Sequence, residues 1–419
     1  MAGCTGSSGR PATTVPTSSA SADVAYGCLL PPVSCYAPRL FQVEYGIQPL
    51  LDRGIGGRGE TVTVLAPAPS PDAPPEGPTD ATDIRQDLAA FDSEFRLPAA
   101  PIQVVTSLAG SASSRQASSE AVQDAEIVHA VAPAATVRVV LMSANVLDSA
   151  ATATVGLLAG LRLAVSGTDV AVIDFSLGEH FFTKAQVAQM HSILLGAAAH
   201  HVTVIASSGD NGGVSDTWFG EGPVKEVSLP ASDPLVLTAG GTMLTGNPSA
   251  AAYVGETAWN GEAGFVQTSG ASGGGFSRLY ARPAYQDGVR GISAMRGMPD
   301  VAGDANQQGG WALVLAGGGK PGIASGGSTG AAASLWGGLM ALADQYAHHD
   351  LGFVNPAIYR IVRGSSYHRA FHDITTGSNV VTTGPGPAVT AGYQTAPGWD
   401  PVTGWGTPDA QVLVPLLAA

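Results

Sequence analysis

Residues 325–336 read SGGSTGAAASLW, a glycine-rich turn that passes directly into an apolar stretch. Small and apolar residues dominate almost to residue 348, and this length and composition predict a helix over residues 331–348. Such a turn presents a side chain at the amino end of the helix, where backbone N–H groups are unpaired. Gly330 stands at this position, so the junction has no side chain to present there.

Outward from this stretch, short apolar runs alternate with helical patterns. Helices are predicted over residues 83–95, 120–131 and 184–199. The apolar runs lack strict alternation, as in strands that are buried on both faces of a parallel sheet, and comprise residues 61–65, 102–105, 137–142, 170–175, 202–206 and 235–238. The pattern predicts an α/β fold with a doubly wound, mostly parallel sheet and helices on both faces, formed by one domain over residues 37–419.

Two acidic residues, Glu120 and Asp124, are four positions apart in a predicted helix and project from the same face. A pair of this kind is commonly a solvated helix surface. The surrounding Ala, Val and Ile residues favour instead a helix that packs against the sheet. Two close carboxyl groups there would share a proton, and the raised pKa of one of them would suit a general base that works in acid.

Asp210 lies in a glycine-rich turn that directly follows a predicted strand. An aspartate in such a turn commonly caps the turn by bonding to its backbone. Functional groups of doubly wound proteins, however, gather beyond the carboxyl ends of the strands. In an acidic site, a protonated Asp210 could donate a hydrogen bond to a developing oxyanion. The sequence leaves both interpretations open.

Charged residues are scarce in this chain. Asp, Glu, Lys and Arg make up 12% of it, and the net charge is -14. The acidic balance disfavours nucleic acid as a partner. In acid the carboxylates neutralise and leave at most 28 positive groups, from 19 Lys and Arg plus 9 His, so self-repulsion is modest. A general bias toward Ala and Gly explains the same composition. No run reaches 18 uninterrupted apolar residues, so no transmembrane segment is predicted.

Residues 1–36 form a leader rich in small and polar residues, and it contains Cys4, Cys28 and Cys35. Cys28 and Cys35 could close a short loop in an oxidising compartment. The sequence around Cys4 is similar to the acylation box of a bacterial lipoprotein, but no apolar export segment precedes it. A truncated start and coincidence explain this equally well. We expect an extracellular or cell-surface location.

Several stretches together resemble the sedolisin family of serine-carboxyl peptidases, from about residue 36 to the C-terminus. Each is weak alone, and their order makes the resemblance specific. They are residues 45–50 (YGIQPL), 87–91 (DLAAF), 120–127 (EAVQDAEI), 229–234 (LPASDP), 240–242 (GGT), 272–275 (SGGG), 299–301 (PDV) and 398–404 (GWDPVTG). The resemblance implies a subtilisin-like fold and a peptide or protein substrate.

The resemblance also implies roles for individual residues. Glu120 would be the general base, Asp124 its partner, and Asp210 a donor in the oxyanion hole. The family generally has tryptophan where Leu177 stands, which alters one wall of the cleft. The residues implied to line the cleft are Ser176, Leu177, Gly178, Ser272, Gly273 and Gly274.

The nucleophile position departs from the family pattern. The family has Gly-Thr-Ser before a helix of small residues, and counting back from residues 335–336 (LW) puts Gly330 at the serine. Ser334 then stands where the family has proline. Ser328 or Thr329 is the available substitute, but each is displaced from the nucleophile position by one or two residues. Misplacing a reacting group by about 1 Å can reduce the rate 10²-fold.

A metal site is implied near the C-terminus. The matching segments imply that Ca²⁺ is bound by the carboxylates of Asp373 and Asp400 and by main-chain carbonyls of Ile374, Ala396 and Gly398. Hard oxygen ligands of this kind suit Ca²⁺. The alternative is a glycine-rich loop with two solvated aspartates.

Two functions remain open from the sequence. The first is an exported, monomeric endopeptidase that acts in acid through a Ser-Glu-Asp arrangement, stabilised by Ca²⁺. The second is an inactive pseudopeptidase that binds a peptide or protein without cleaving it. The resemblance implies a long N-terminal prodomain, yet only about 36 residues precede the matching region. Gly330 and this short leader favour the second function, whereas Glu120, Asp124 and Asp210 favour the first.

Overall fold

The structure is a computed structural model that describes residues 35–68, 82–106, 116–215, 219, 223–246, 253–261, 270–315, 321–382 and 389–419. Cys35 is disulfide-bonded. Cys4 and Cys28 lie outside the described residues, and so do the predicted acylation of Cys4 and the cysteine that would pair with Cys35.

A mostly parallel sheet of eight strands forms the centre of the described chain. The strands are β1 (Thr61–Pro67), β2 (Ile102–Thr106), β3 (Thr136–Met142), β4 (Val170–Ile173), β5 (Thr203–Ser207), β6 (Leu237–Leu244), β7 (Glu256–Ala258) and β8 (Val301–Asp304). Their order is β7-β6-β5-β4-β1-β3-β2, and β8 also pairs with β6. All pairings are parallel except that of β6 with β7. The predicted sheet architecture is confirmed.

Helices connect and cover these strands. In the part of the chain that the structure describes, the α-helices are α1 (Pro38–Glu44), α2 (Gln48–Leu51), α3 (Ile84–Phe95), α4 (Ser119–Val131), α5 (Ala150–Ala164), α6 (Lys184–Ala199), α7 (Thr329–Ala347), α8 (Asn355–Val362), α9 (Tyr367–Ala370) and α10 (Ala410–Leu417). None of them combines the length and the apolar character needed to span a bilayer.

The two faces of the sheet carry separate apolar clusters, because successive side chains of a strand point to opposite sides. Val62 and Val64 of β1 pack with α4 and α7 in one cluster. Leu65 of β1 and Ile173 of β4 pack with α5 and α6 in the other. Both faces are therefore covered by helices, which explains why the strands lack polar alternation.

Most predicted elements lie within one or two residues of the observed ones. α6 has the predicted bounds, and α7 begins two residues earlier than predicted, at Thr329. β4 ends at Ile173 instead of continuing to Phe175, which leaves Asp174 in the loop beyond the strand. The sequence did not predict strands β7 and β8 or helices α1, α2, α5, α8, α9 and α10. α5 was missed because its Ala- and Leu-rich sequence gives little contrast between faces.

α7 runs against the middle of the sheet and is buried from Thr329 to Asp344. Close approach is possible because α7 carries glycine where it meets its neighbours. A Cβ on Gly337 would collide with Val172 of β4, and one on Gly338 would collide with Val131 of α4. This packing brings the amino end of α7 to the carboxyl ends of β4 and β5.

Candidate active site

The first turns of α4 carry Glu120 and Asp124. Ser118 caps this helix, because its hydroxyl accepts a hydrogen bond from the N–H of Ala121 at 3.2 Å. Glu120 is half-buried, and Asp124, one turn further, has no exposed surface. The pair therefore does not form a solvated helix face.

Asp210 joins the loop after β5 to the amino end of α7. The backbone N–H and the hydroxyl of Thr329 both donate to its Oδ1, at 3.0 and 2.7 Å. The same hydroxyl accepts a hydrogen bond from the N–H of Gly209 at 3.1 Å. Burial raises the pKa of Asp210, although the bonds from Thr329 oppose this shift. The Asp210 carboxyl group therefore holds its proton more readily than a solvated one.

The two hydroxyl groups that precede Gly330 are both held in hydrogen bonds. Ser328 is the N-cap of α7, and its Oγ accepts from the N–H of Ala331 at 3.2 Å and from the side-chain amide of Gln123 at 3.1 Å. Thr329 donates its hydroxyl to the aspartate after β5. Neither side chain is more than 5% exposed. The geometry thus engages both oxygens in positioning the helix.

Asp174 fills the space in front of Gly330. A Cβ built on Gly330 would lie well under 3.0 Å from both carboxyl oxygens and the carboxyl carbon of Asp174. The carboxyl groups of Glu120 and Asp124 both lie within hydrogen-bonding reach of Asp174. Asp174 is not among the site residues predicted from the sequence. Because it directly follows β4, the rule that pointed to Asp210 after β5 could have found it.

Four carboxyl groups therefore meet at one place, which we call the acidic cluster: Glu120, Asp124, Asp174 and Asp210. Burial raises the pKa of every member, and the negative charges of neighbouring members raise the pKa of Glu120, Asp124 and Asp174 further. Ser334 and Gln123 lie within hydrogen-bonding reach of Asp124, whereas Oδ2 of Asp174 accepts no hydrogen bond from the described part of the chain. Two carboxyl groups can bond to each other only by sharing a proton, so the cluster retains protons at a pH where free carboxyl groups have lost them.

A crevice too narrow to hold a water molecule lies beside Asp210, and at Gly274 it adjoins a wider pocket of about 230 Å³. Gly273 and Gly274 line the crevice together with Glu226 and Ser228. A Cβ on Gly273 would collide with the carbonyl oxygen of the residue before Gly209, and one on Gly274 would collide with a carbonyl of a neighbouring loop. Only glycine allows the backbone to approach this closely. These two predicted cleft residues thus border the acidic cluster.

The other predicted cleft residues are placed differently. Ser272 is fully buried, and its hydroxyl donates to the carbonyl of Val402 at 2.7 Å. Leu177 is fully buried in the apolar cluster that contains α5 and α6. Leu177 and Gly178 form a short antiparallel pair with residues 228–229. Ser176 is half-buried near Gly209.

The segments implied to bind calcium form one loop region. Asp373 accepts a hydrogen bond through Oδ2 from the N–H of Gly398 at 2.9 Å, and Asp400 accepts one through Oδ2 from the N–H of Ala396 at 3.0 Å. Oδ1 of Asp373 is buried and has no hydrogen-bond partner in the described residues. A hard cation that is also bound by the nearby main chain at Ile374 would satisfy this oxygen. The residues present therefore fit Ca²⁺.

A second group of acidic residues, not predicted from the sequence, lies at the opposite end of the sheet. Carboxylate oxygens of Glu60, Asp169 and Asp350 lie within 4.8 Å of one another. Glu60 precedes β1, Asp169 precedes β4, and Asp350 follows α7. These residues are far apart in the sequence, and only the fold brings them together.

No protein-family model matches the chain, but several individual proteins are similar to it in sequence. The chain is 34% identical over 246 residues to kumamolisin of Bacillus sp. (strain MN-32), which is 57% of this chain and 40% of that protein. It is 34% identical over 267 residues to sedolisin of Pseudomonas sp. (strain 101), 62% of this chain and 43% of that protein. The match to tripeptidyl-peptidase 1 of Homo sapiens is 27% over 272 residues, 59% of this chain and 43% of that protein. The chain spans less than half the length of these relatives.

Solved structures agree with these matches. Pseudomonas sedolisin, a serine-carboxyl proteinase complexed with two molecules of pseudo-iodotyrostatin, superposes with a TM-score of 0.71 at 26% identity, covering 91% of this chain and 98% of that one. The MycP3 protease from the type VII (ESX-3) secretion system reaches a TM-score of 0.51 at 14% identity, covering 93% of this chain and 91% of that one, and shares the fold alone.

Proposed function

The chain belongs to the sedolisin family of serine-carboxyl peptidases, and from this premise we propose that it binds a peptide or protein in the cleft beside Asp210 and hydrolyses peptide bonds in acid. The single observation that carries the proposal is the acidic cluster. It collects Glu120, Asp124 and Asp210 beside the amino end of α7, with pKa values raised by burial. Carboxyl groups that still hold protons at mildly acidic pH can act as general acids, whereas a histidine base would be protonated and useless there.

The exposure of each carboxyl group suggests its role. Glu120 is half-buried, as is Asp210, whereas Asp124 and Asp174 are buried. Substrate and solvent can therefore reach Glu120, which suits a general base or acid. Asp124 is fully buried behind it and positions it. A protonated Asp210, held by Thr329, would donate a hydrogen bond to the oxyanion of the tetrahedral intermediate.

The second candidate function is a pseudopeptidase that binds peptides without cleaving them. Gly330 favours it, because this residue has no side chain to attack a carbonyl. The hydrogen bonds of Ser328 and Thr329 also favour it, since they engage both hydroxyl groups that directly precede Gly330. Loss of a catalytic serine reduces the rate about 10⁶-fold in enzymes that depend on it.

Hydrolysis of a mixed pool of quenched fluorescent peptides at roughly pH 3–5 tests the proposal. Asp210→Ala serves as a variant that lacks the proposed donor to the oxyanion. Binding of the same peptides is measured in parallel by fluorescence anisotropy. Hydrolysis that Asp210→Ala lowers supports the first function, and binding without hydrolysis supports the second. Absence of both binding and hydrolysis by a folded chain contradicts both.

Three further properties belong to this proposal. Asp373 and Asp400, with main-chain oxygens of Ile374, Ala396 and Gly398, would hold Ca²⁺, which when bound cross-links the loops that carry them. The chain would act as a monomer outside the cell or at its surface. The buried Oδ1 of Asp373, which has no hydrogen-bond partner in the described residues, supports the proposed Ca²⁺ site.

A further inference from the structure

Asp174 has no role in the mechanism expected of a serine peptidase, yet its carboxyl group lies at the nucleophile position. It fills the space that a side chain on Gly330 would need. The residue before Gly330 is Thr329, which donates two hydrogen bonds to Asp210. Asp174 and Asp210 therefore flank the same point at the amino end of α7.

Asp174 is also unlike a residue that merely fills volume. It is 6% exposed, and its Oδ2 accepts no hydrogen bond from the described part of the chain. A buried carboxyl oxygen that only another carboxyl group can reach is unfavourable, and an apolar side chain would fill the same space at lower free energy. Glu120 lies within hydrogen-bonding reach of it and is the more exposed partner. Asp174 and Glu120 therefore form a pair of carboxyl groups that share one proton and lie close to Asp210, which lines the cleft.

We propose that Asp174 and Glu120 form a carboxyl pair that activates a water molecule, which attacks the peptide bond in place of a serine. The inference rests on the proposed peptidase function and names the group that performs it. Asp174 would then be a catalytic residue, and Gly330 would be the small residue that leaves room for it.

The pair begins with one ionised and one protonated carboxyl group, because two close carboxylates cannot both ionise easily. The ionised group takes a proton from water while a lone pair of the water oxygen forms a bond to the carbonyl carbon. The π electrons move to the carbonyl oxygen, and the resulting oxyanion accepts a hydrogen bond from protonated Asp210. The protonated member of the pair then gives its proton to the peptide nitrogen. The C–N bond breaks and leaves a carboxylic acid and an amine, and the pair again holds one proton.

The test compares Asp174→Asn with Asp304→Asn. Asp304 is a matched control, because it is fully buried, lies at the carboxyl end of the nearby strand β8, and also has an unpartnered Oδ2. Amide substitution keeps the shape of each side chain. We expect Asp174→Asn to lower kcat by about 10²–10⁴-fold and to remove one limb of the bell-shaped pH profile. Asp304→Asn should stay within about threefold of the parent activity and keep both limbs.

A second measurement separates water attack from serine attack. A serine peptidase forms an acyl-enzyme that transfers its acyl group to an added amine, whereas direct water attack forms none. We expect no acyl transfer to an added dipeptide amide and no loss of activity with a serine-directed phosphonate. Hydrolysis that survives Asp174→Asn, or that produces acyl transfer, overturns the carboxyl pair but leaves the peptidase function standing. A folded parent chain that binds peptides without cleaving them overturns the carboxyl pair and supports the pseudopeptidase. A chain that neither binds nor cleaves them overturns the proposed function as well.

Discussion

The carboxyl group of Asp174 occupies space that is open only because residue 330 is glycine. The glycine leaves a gap at the amino end of α7, and the aspartate beyond β4 fills it with its carboxyl group. A serine at residue 330 would bring its side chain into the carboxyl group of Asp174. Reversing the departure from the family pattern therefore requires a change at both residues.

We expect Gly330→Ser alone to destabilise the chain by about 1–3 kcal/mol, because it overpacks a buried position. It should not raise the rate of peptide hydrolysis. Adding Asp174→Ala should recover most of the lost stability, since it removes the colliding carboxyl group. Urea unfolding of the parent, the single variant and the double variant gives the three free energies. A stable Gly330→Ser variant with increased hydrolysis would show that the Asp174 side chain can move aside.

At the scale of elements, the junction between the turn and α7 is held by Ser328 as N-cap. We expect Ser328→Ala to lower the free energy of unfolding by about 1 kcal/mol, because the N–H of Ala331 loses its acceptor. Peptide hydrolysis by the folded variant should persist, since this hydroxyl caps a helix and does not attack substrate. Chemical denaturation and a peptidase assay at the same pH measure both effects. Complete loss of hydrolysis with unchanged stability would identify Ser328 as the nucleophile instead.

The loops near the C-terminus provide a second test at this scale. If Ca²⁺ binds Asp373, a chelator should lower the melting temperature of the parent chain, because a ligand that binds only the folded state stabilises it. Asp373→Asn should melt at a lower temperature in Ca²⁺ and respond little to the chelator. Asp287→Asn, at an exposed ion pair with Arg282, is the control. If the chelator lowers the melting temperature of the parent and of Asp373→Asn equally, any bound cation lies elsewhere, for example at Glu60.

At the scale of the whole molecule, buried carboxyl groups link stability to pH. Burial raises the pKa of Glu60 to about 7, of Asp344 to about 8 and of Asp400 to about 6. Unfolded carboxyl groups titrate near about pH 4, so between about pH 4 and 8 the folded chain binds more protons. The stability that these groups contribute is complete below pH 4 and is lost as the pH rises through their pKa values in the folded chain.

Two histidines also link stability to pH. A hydrogen bond to an aspartate raises the pKa of His191, so the stability that His191 contributes is also lost as the pH rises. Burial lowers the pKa of His372 to about 4, so below about pH 6.5 His372 makes the folded chain less stable as the pH falls.

We therefore expect the melting temperature in metal-free buffer to be higher at pH 5 than at pH 8. Differential scanning calorimetry across this range measures the effect, and Asp344→Asn should flatten the pH dependence because it removes one of the linked protons. A melting temperature that rises steadily from pH 5 to pH 8 would contradict this sign. The low content of charged residues is predicted to limit charge repulsion within the chain in acid, which also favours the folded chain at low pH.

The sequence by itself determined the doubly wound fold and most of its elements. Strand and helix periods are local properties, so strands β1 to β6 and helices α3, α4, α6 and α7 could be placed from apolar runs and spacing alone. The same reasoning selected Asp210, because a residue that follows a buried strand lies at the functional edge of the sheet. Resemblance to a family then assigned roles to Glu120 and Asp124, and these roles stay predictions.

Only the tertiary structure decided what stands in front of Gly330. Asp174 and Gly330 are far apart in the sequence. No local sequence pattern indicates that the Asp174 carboxyl group fills the space that a side chain at residue 330 would need. The same holds for the bonds that engage Ser328 and Thr329, and for the carboxylates that meet around Glu60. Burial and proton sharing depend on which groups the packing brings into contact, and this contact is set by the path of the whole chain.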